Sequence, residues 1–406
     1  MTETYFRRGF GLKSAIEGQL TADYHSAVVD ALRSHGHVLT AGPLTFRLAQ
    51  EFGFCYGVDR AVDYAYETRH KFPERRIFLA GEIIHNPHVN QKLEAMGIGF
   101  LDRDAGGDFD FSAIGATDVV IMPAFGVTVR DFARLKEIGC VRVDTTCGSV
   151  LNVWKRVENY AKDGFTAVIH GKHYHEETKA TASQVERYPG GRYLVVRDMA
   201  EARPVLDFIE GRGDAAVLRE RFAHASSAEF DCATDLVRAG IANQTTMLSG
   251  ESLAIAAEFR RSFALRYGED KVDDHFRTFD TICSATQERQ DAVVKLLDER
   301  VDLMLVVGGY NSSNTCHLAA LAKSKGVRTF HIEDARCVTT TDGTLCHQPV
   351  GQKAEVIEPA GWLAGRSIIG ITAGASTPNN KVGETIARVC EVAGVLPALE
   401  RAVEPR

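Results

Sequence analysis

The sequence predicts an α/β protein with mainly parallel sheets, and three observations predict it. Short β-rich apolar runs alternate with longer amphipathic stretches along most of the chain. The loops between them carry Gly, Ser, Thr and Asn at strand-to-helix corners, where α/β sheets bind ligands. Finally, "DTTCGS" at 144–149 and "DTICSA" at 280–285 are nearly one phrase written twice, and a third cysteine stands in "FGFCYGVDRA" at 52–61. Repetition of a corner implies repetition of a module.

Residues 1–46 read as an N-terminal extension: "SAIEGQL" and "DYHSAVVDALRSHG" have helical periodicity, and "HVLTAGPLTFRLA" carries strand and turn signals. Expected strands then follow in "RIFLAGEII", "DVVIMPA", "VRVDTT", "FTAVIHG", "RYLVV", "FDTIC", "LMLVVGG", "VRTFHI" and "SIIGITAG". Expected helices are "VDRAVDYAYETRHKF", "HVNQKLEAMG", "TVRDFARLKEIG", "SVLNVWKRVENYAKD", "ESLAIAAEFRRSFALRYG", "ATQERQDAVVKLLDER", "NTCHLAALAKSKG" and "NNKVGETIARVCEVAG". On this reading Cys147 and Cys283 each end a strand-like run, and Cys55 precedes a helix. The chain divides into an extension at 1–46 and modules at 47–146, 147–282 and 283–406. Each module offers one corner cysteine to a shared centre.

Composition narrows the function. The 406 residues, 45% hydrophobic, suffice for two or three domains. A net charge of −7 gives no basic field for nucleic acid or anionic membrane. No apolar run approaches a membrane span, and the N-terminus lacks a signal-type stretch and carries early acidic residues, so a cytoplasmic location is expected. Nine scattered cysteines then argue for reduced thiols rather than a disulfide framework. Cys140, Cys232, Cys316, Cys337, Cys346 and Cys390 are read as small buried apolar residues.

Three matched thiolates without a fourth suggest a metal site with an open position. Thiolates select zinc or an iron–sulfur cluster, and spacing does not choose between them. "GEIIHNPHVNQKL" brings His85, Asn86 and His88 to a loop after a strand, and "VIHGKHYHEETKATAS" brings His170, His173, His175, Glu176 and Glu177. Such loops bind anions and supply protons, although His170 and His173 also suit a plain polar loop. "ANQTTMLSGES" places Gln244, Thr245 and Thr246 before a helix; "VVGGYNSSNTCHLAA" places Asn311, Ser312, Ser313 and Asn314 there, and "GITAGASTPNN" places Ser376 and Thr377. Hydroxyls and backbone N–H groups at helix starts suit phosphate, and the same residues suit N-capping. No Walker-type lysine motif is present. The residues alone give a three-cysteine metal centre ringed by groups for a small phosphorylated substrate. A zinc hydrolase and a non-enzymatic iron–sulfur sensor remain rival readings.

"FGFCYGVDRAV", "EIIHNPHVNQKL", "DTTCGSV", "HYHEET", "NQTTMLS", "TICSATQERQDAV", "GGYNSSNTCHLA" and "ITAGASTP" together resemble the 4-hydroxy-3-methylbut-2-enyl diphosphate reductase family, from about residue 47 to 390. The extension with "RRGFG" and the wording "IMPAFGV" are similar to its longer cyanobacterial and plastid version. The resemblance implies the last step of the methylerythritol phosphate route to isoprenoids. There (E)-4-hydroxy-3-methylbut-2-enyl diphosphate is reductively dehydroxylated to isopentenyl and dimethylallyl diphosphate. It implies three modules in a trefoil-like pseudo-threefold arrangement around a 4Fe–4S cluster with one open iron, ligated by Cys55, Cys147 and Cys283. It assigns His85, His175, Ser312, Ser313, Asn314 and Ser376 to the diphosphate, Glu177 to proton delivery and Thr245 to the neighbourhood of the substrate hydroxyl. It implies an electron donor such as ferredoxin or flavodoxin, and it is compatible with a homodimer. Two positions depart from the family's pattern: Phe125 stands where many members have a diphosphate-touching histidine, and Glu176 stands where many have proline.

Overall fold

The computed structural model describes residues 4–104, 107–279 and 281–404. The chain has a mixed α/β fold with several sheets, divided into two compact units. The first comprises Met1–Arg8, Glu74–Ile83 and Gly97–Cys283; the second comprises Gly9–Pro73, Ile84–Met96 and Ser284–Arg406.

The first unit holds two parallel sheets. In one, the strand order is Tyr5–Phe6, Val141–Asp144, Val119–Met122, Ile77–Leu79, Ile98–Phe100. In the other it is Phe276–Thr278, Ala239–Asn243, Thr166–His170, Tyr193–Val196. The second unit is built on a five-stranded sheet ordered Thr329–Ile332, Leu303–Val307, Ile368–Ala373, Leu44–Leu48, Val38–Ala41. All its pairs are parallel except the edge pair at 38–48. Central strands such as Leu303–Val307 are buried along their whole length, because helices cover both faces of a parallel sheet. The N-terminal strands at 38–48 thus belong to the same sheet as strands more than 250 residues later, a pairing set by long-range burial that no local signal announces.

The helices follow the expected stretches: Tyr56–Lys71, Pro87–Ala95, Val129–Ile138, Gly148–Lys162, Ser249–Tyr267, Ser284–Leu297, Ser313–Ser324 and Asn379–Val392. One expectation fails. Within "FDTIC" (279–283), the described residues 279 and 281–283 are not in a strand, and Asp280 lies outside the described residues; the strand is Phe276–Thr278. The Asn243 N–H donates to Thr281 Oγ1 at 3.2 Å, and the Thr281 hydroxyl donates back to Asn243 Oδ1. A side chain, not a backbone ladder, therefore holds this segment against its neighbour. Among the described residues no helix is long and apolar enough to cross a membrane.

Candidate functional site

Each cysteine of the repeated corner opens a helix. Cys55 is the N-cap of Tyr56–Lys71 and Cys147 the N-cap of Gly148–Lys162, both with extended backbone and neither capping with its side chain. Cys283 immediately precedes Ser284–Leu297. All three are half-buried thiols, and none of the nine cysteines is joined in a disulfide.

Two corners are built alike. The Cys55 N–H donates to the Ala375 carbonyl at 3.3 Å, and the Cys147 N–H donates to the Ala124 carbonyl at 2.7 Å. The residue after each acceptor is Ser376 in one case and Phe125 in the other. Cys55 lies in the second unit, and Cys147 and Cys283 lie in the first.

The loop ahead of Cys55 has an anchor that the sequence reading missed. Arg289 is buried. Its Nε and Nη2 donate to the Gly53 carbonyl at 3.2 and 2.8 Å, and Nη2 also reaches the Phe54 carbonyl at 3.1 Å. Nη1 donates to Ala285 O at 2.8 Å. The available signal was the polar trio Thr286, Arg289 and Gln290, spaced three and four apart on one helix and all buried.

In the second unit, Ser312, Ser313, Asn314, Ser376 and His85 come together. The strands Leu303–Val307 and Ile368–Ala373 are neighbours, and the chain leaves the first toward Thr329–Ile332 on the far side. Their carboxyl ends therefore flank the point where strand order reverses, the preferred ligand crevice of such sheets. Ser312 caps the helix Ser313–Ser324, accepting from the Thr315 N–H. Asn314 Oδ1 accepts from the Ala375 N–H at 2.9 Å. The Ser376 hydroxyl lies 3.1 Å from the His85 carbonyl oxygen and 3.4 Å from Ser312 Oγ. Ser313 Oγ and Asn314 Nδ2 are buried and bonded to no other described group. Buried donors in that state are costly unless a ligand completes them. The corner also excludes side chains: Gly308 has φ +145°, and a Cβ there would collide with Thr377 Oγ1.

In the first unit, His175, Glu177 and Thr245 come together. His175 caps the helix Glu176–Ala182, its Nδ1 accepting the Glu177 N–H at 3.2 Å. That acceptor role puts the neutral ring's proton on Nε2. Glu177 is 3% exposed, and its Oε1 accepts the Thr245 N–H at 2.5 Å. Gln244 ties the two loops, its Oε1 accepting from the Lys172 N–H and the Thr178 hydroxyl, both at 3.1 Å. The adjacent carboxylate differs: Glu176 pairs with Arg103 at 2.8 Å and is partly solvated. Phe125 packs edge-on against His175, ring centroids 6.3 Å apart. The bland reading holds for His170, a buried residue hydrogen-bonded to Ser252 at 2.8 Å. Asn86 is an N-cap.

Each of the three is a soft, half-exposed thiol at a helix start, a donor of the kind suited to an iron–sulfur cluster or zinc. Among the described residues no three His, Cys, Asp or Glu side chains are already grouped as a metal site, so the match is one of donor chemistry.

Residues 46–390 match the family model described as LytB protein. A relative from Gloeobacter violaceus named 4-hydroxy-3-methylbut-2-enyl diphosphate reductase is 48% identical over 398 residues, spanning 97% of this chain and 94% of the relative. One of the same name from a Nostoc species is 44% identical over 389 residues, spanning 96% and 94%. A solved structure of (E)-4-hydroxy-3-methyl-but-2-enyl diphosphate reductase, titled the terminal enzyme of the non-mevalonate pathway, superposes with TM-score 0.52 at 27% identity. It covers 85% of this chain and 99% of that one. The Plasmodium falciparum reductase superposes with TM-score 0.63 at 21% identity over 85% and 87%, a likeness of fold.

Proposed function

Since the chain belongs to the LytB family, whose curated members are named 4-hydroxy-3-methylbut-2-enyl diphosphate reductase, we propose that it performs that reduction through the residues described above. The reaction takes the allylic diphosphate, two electrons and two protons to isopentenyl or dimethylallyl diphosphate and water. Three modules centred on the three main sheets, in a trefoil-like arrangement, are part of this reading; the recurrent strand–cysteine–helix corner supports it.

The observation that carries the proposal is the corner of Ser312, Ser313, Asn314 and Ser376. It holds two buried donors with no partner among the described residues, at a helix start, in a strand-order crevice. An anion completes them, and neutral hydroxyl, amide and imidazole donors hold a diphosphate by several charge-assisted hydrogen bonds. His85 and His175 join this set.

Cys55, Cys147 and Cys283 would hold the 4Fe–4S cluster. When bound, that group would supply electrons one at a time and Lewis-acid assistance to loss of the hydroxyl. Glu177 holds a proton at its second carboxyl oxygen while Oε1 is fixed by the Thr245 N–H, and delivers it to the departing hydroxyl. The burial of Glu177 and the engagement of Glu176 by Arg103 favour Glu177 as the acid. His175 fixes the start of the helix that carries it. The electron donor in this reading is a ferredoxin or flavodoxin, and the compartment is the cytoplasm.

The test is anaerobic purification, iron and sulfide analysis, and an assay of allylic diphosphate reduction with a low-potential chemical reductant. About four irons and four sulfides per chain with turnover are expected. Zinc without sulfide, or no turnover with a full cluster, would overturn the proposal.

A further inference from the structure

Three of the six cysteines read from sequence as buried core are not buried. Cys316, Cys337 and Cys346 are half-exposed, and they gather around Tyr310, two residues before Ser312. The Cys316 thiol donates to the Tyr310 carbonyl at 3.3 Å. The Tyr310 hydroxyl lies 3.6 Å from Cys337 Sγ.

Cys337 and Cys346 flank a tight antiparallel turn. Val338 and Leu345 form a bridge, and the Thr339 N–H donates to the Thr344 carbonyl at 3.0 Å. One residue outward from that bridge, Cys337 ends the 3-10 turn Ala335–Cys337 and Cys346 lies in the strand Leu345–His347, which brings the two cysteines to neighbouring places on the backbone. Cys337 lies close enough to act electrostatically on the Cys346 thiol. Leu345 and His347 are buried on one face of their strand, so Cys346 between them points to the other. The Glu355 carboxylate, exposed to solvent, hydrogen-bonds both the Cys346 thiol and the Tyr310 hydroxyl.

We propose that Cys337 and Cys346 form a reversible disulfide by exchange with a small disulfide such as oxidised glutathione. Cys337 Sγ loses its proton to solvent and attacks one sulfur of the oxidant, forming a mixed disulfide and releasing one thiolate. The Cys346 thiol passes its proton to Glu355 and attacks Cys337 Sγ, releasing the second thiolate. Two electrons pass from the chain to the oxidant, two protons are released, and the thiolates take them up. Burial and the Glu355 carboxylate push the Cys346 thiol up to about 11, which suits the resolving rather than the attacking role. The new bond draws Cys337 Sγ from the Tyr310 hydroxyl and so loosens the loop that carries Ser312–Asn314. This coupling, unlike the disulfide, rests on reading that corner as the diphosphate cradle.

Trypsin cuts after Arg336 and Lys353, so both cysteines fall on one peptide, 337–353. The full-length protein is equilibrated without oxygen in glutathione buffers of rising oxidised fraction, alkylated and digested. Expected is an unalkylated peptide lighter by two hydrogens in oxidising buffer, restored by reductant. A doubly alkylated or doubly glutathionylated peptide throughout would overturn the disulfide. Cys346→Ser should stop at a single glutathione adduct on Cys337; an adduct-free peptide would overturn the order of attack. Inorganic diphosphate should bind the oxidised form at least about fivefold more weakly, the low end of typical coupling between sites. Equal affinity with the disulfide formed would overturn the coupling and leave the disulfide standing.

Discussion

Replacing Arg289 by Met should release the loop that carries Cys55. The guanidinium is 3% exposed and supplies donors to two carbonyls of that loop, Gly53 and Phe54. A hydrogen bond from a charged donor is worth about 1.5–3 kcal/mol net. Losing both loop carbonyls' partner at the low end costs roughly 3 kcal/mol, or about 100-fold in a local opening equilibrium at 1.4 kcal/mol per decade. The amides of Gly53 and Cys55, bonded to the Ala373 and Ala375 carbonyls, report that opening by hydrogen exchange. Arg289→Lys keeps the charge but not the planar fork. It should recover about half the loss, leaving roughly tenfold faster exchange. The measurement is exchange mass spectrometry on peptides spanning residues 50–58, with the strand Thr166–His170 as an internal control. Wild-type protection at 50–58 in Arg289→Met, with the control unchanged, would refute the reasoning. So would full rescue by lysine, which would mean that only charge matters.

Glu177→Gln keeps an acceptor for the Thr245 N–H but removes the acid, so turnover should fall by about 10²–10⁴-fold with iron content unchanged; wild-type turnover would sink the proton route. Cys147→Ser should lose cluster iron, and full retention measured by metal analysis would remove Cys147 from the ligand set. Ser376→Ala should weaken inorganic diphosphate binding roughly tenfold, on the scale of one charge-assisted hydrogen bond; calorimetry showing no change would place the anion elsewhere. Burial lowers His331 to about 4, below its ordinary 6.5. The unfolded chain therefore takes up this proton first as pH falls, and stability drops between pH 6.5 and 4 by about 3 kcal/mol. His331→Phe should flatten that segment of a urea-denaturation pH series, and an unaltered slope would show that other groups set it.

Much of the candidate site was legible because its residues stand at corners. A strand's apolar run, a turn of small polar residues and a helix start are all local signals, and they located Cys55, Cys147, Ser312 and Ser376. The approach to Cys283 was misread because Thr281 mimics a ladder contact with its hydroxyl, which leaves no periodicity in the sequence. Arg289 escaped because an arginine in an amphipathic stretch looks solvated, and only the fold supplies the carbonyls that bury it. Cys337 and Cys346 were passed over because each alone resembles a small core residue. Their meaning lies in a register that one turn creates.

The two like-built corners differ in what each could hold. At each, a cysteine amide grips the carbonyl of an alanine. The residue after that alanine carries a hydroxyl in one corner, Ser376, and in the other the ring of Phe125, packed on His175. A hydroxyl can offer an anion a hydrogen bond, and a phenyl ring has none to offer. The same backbone frame is thus written twice, and one side chain beside it sets whether that corner is suited to charge or to an apolar surface.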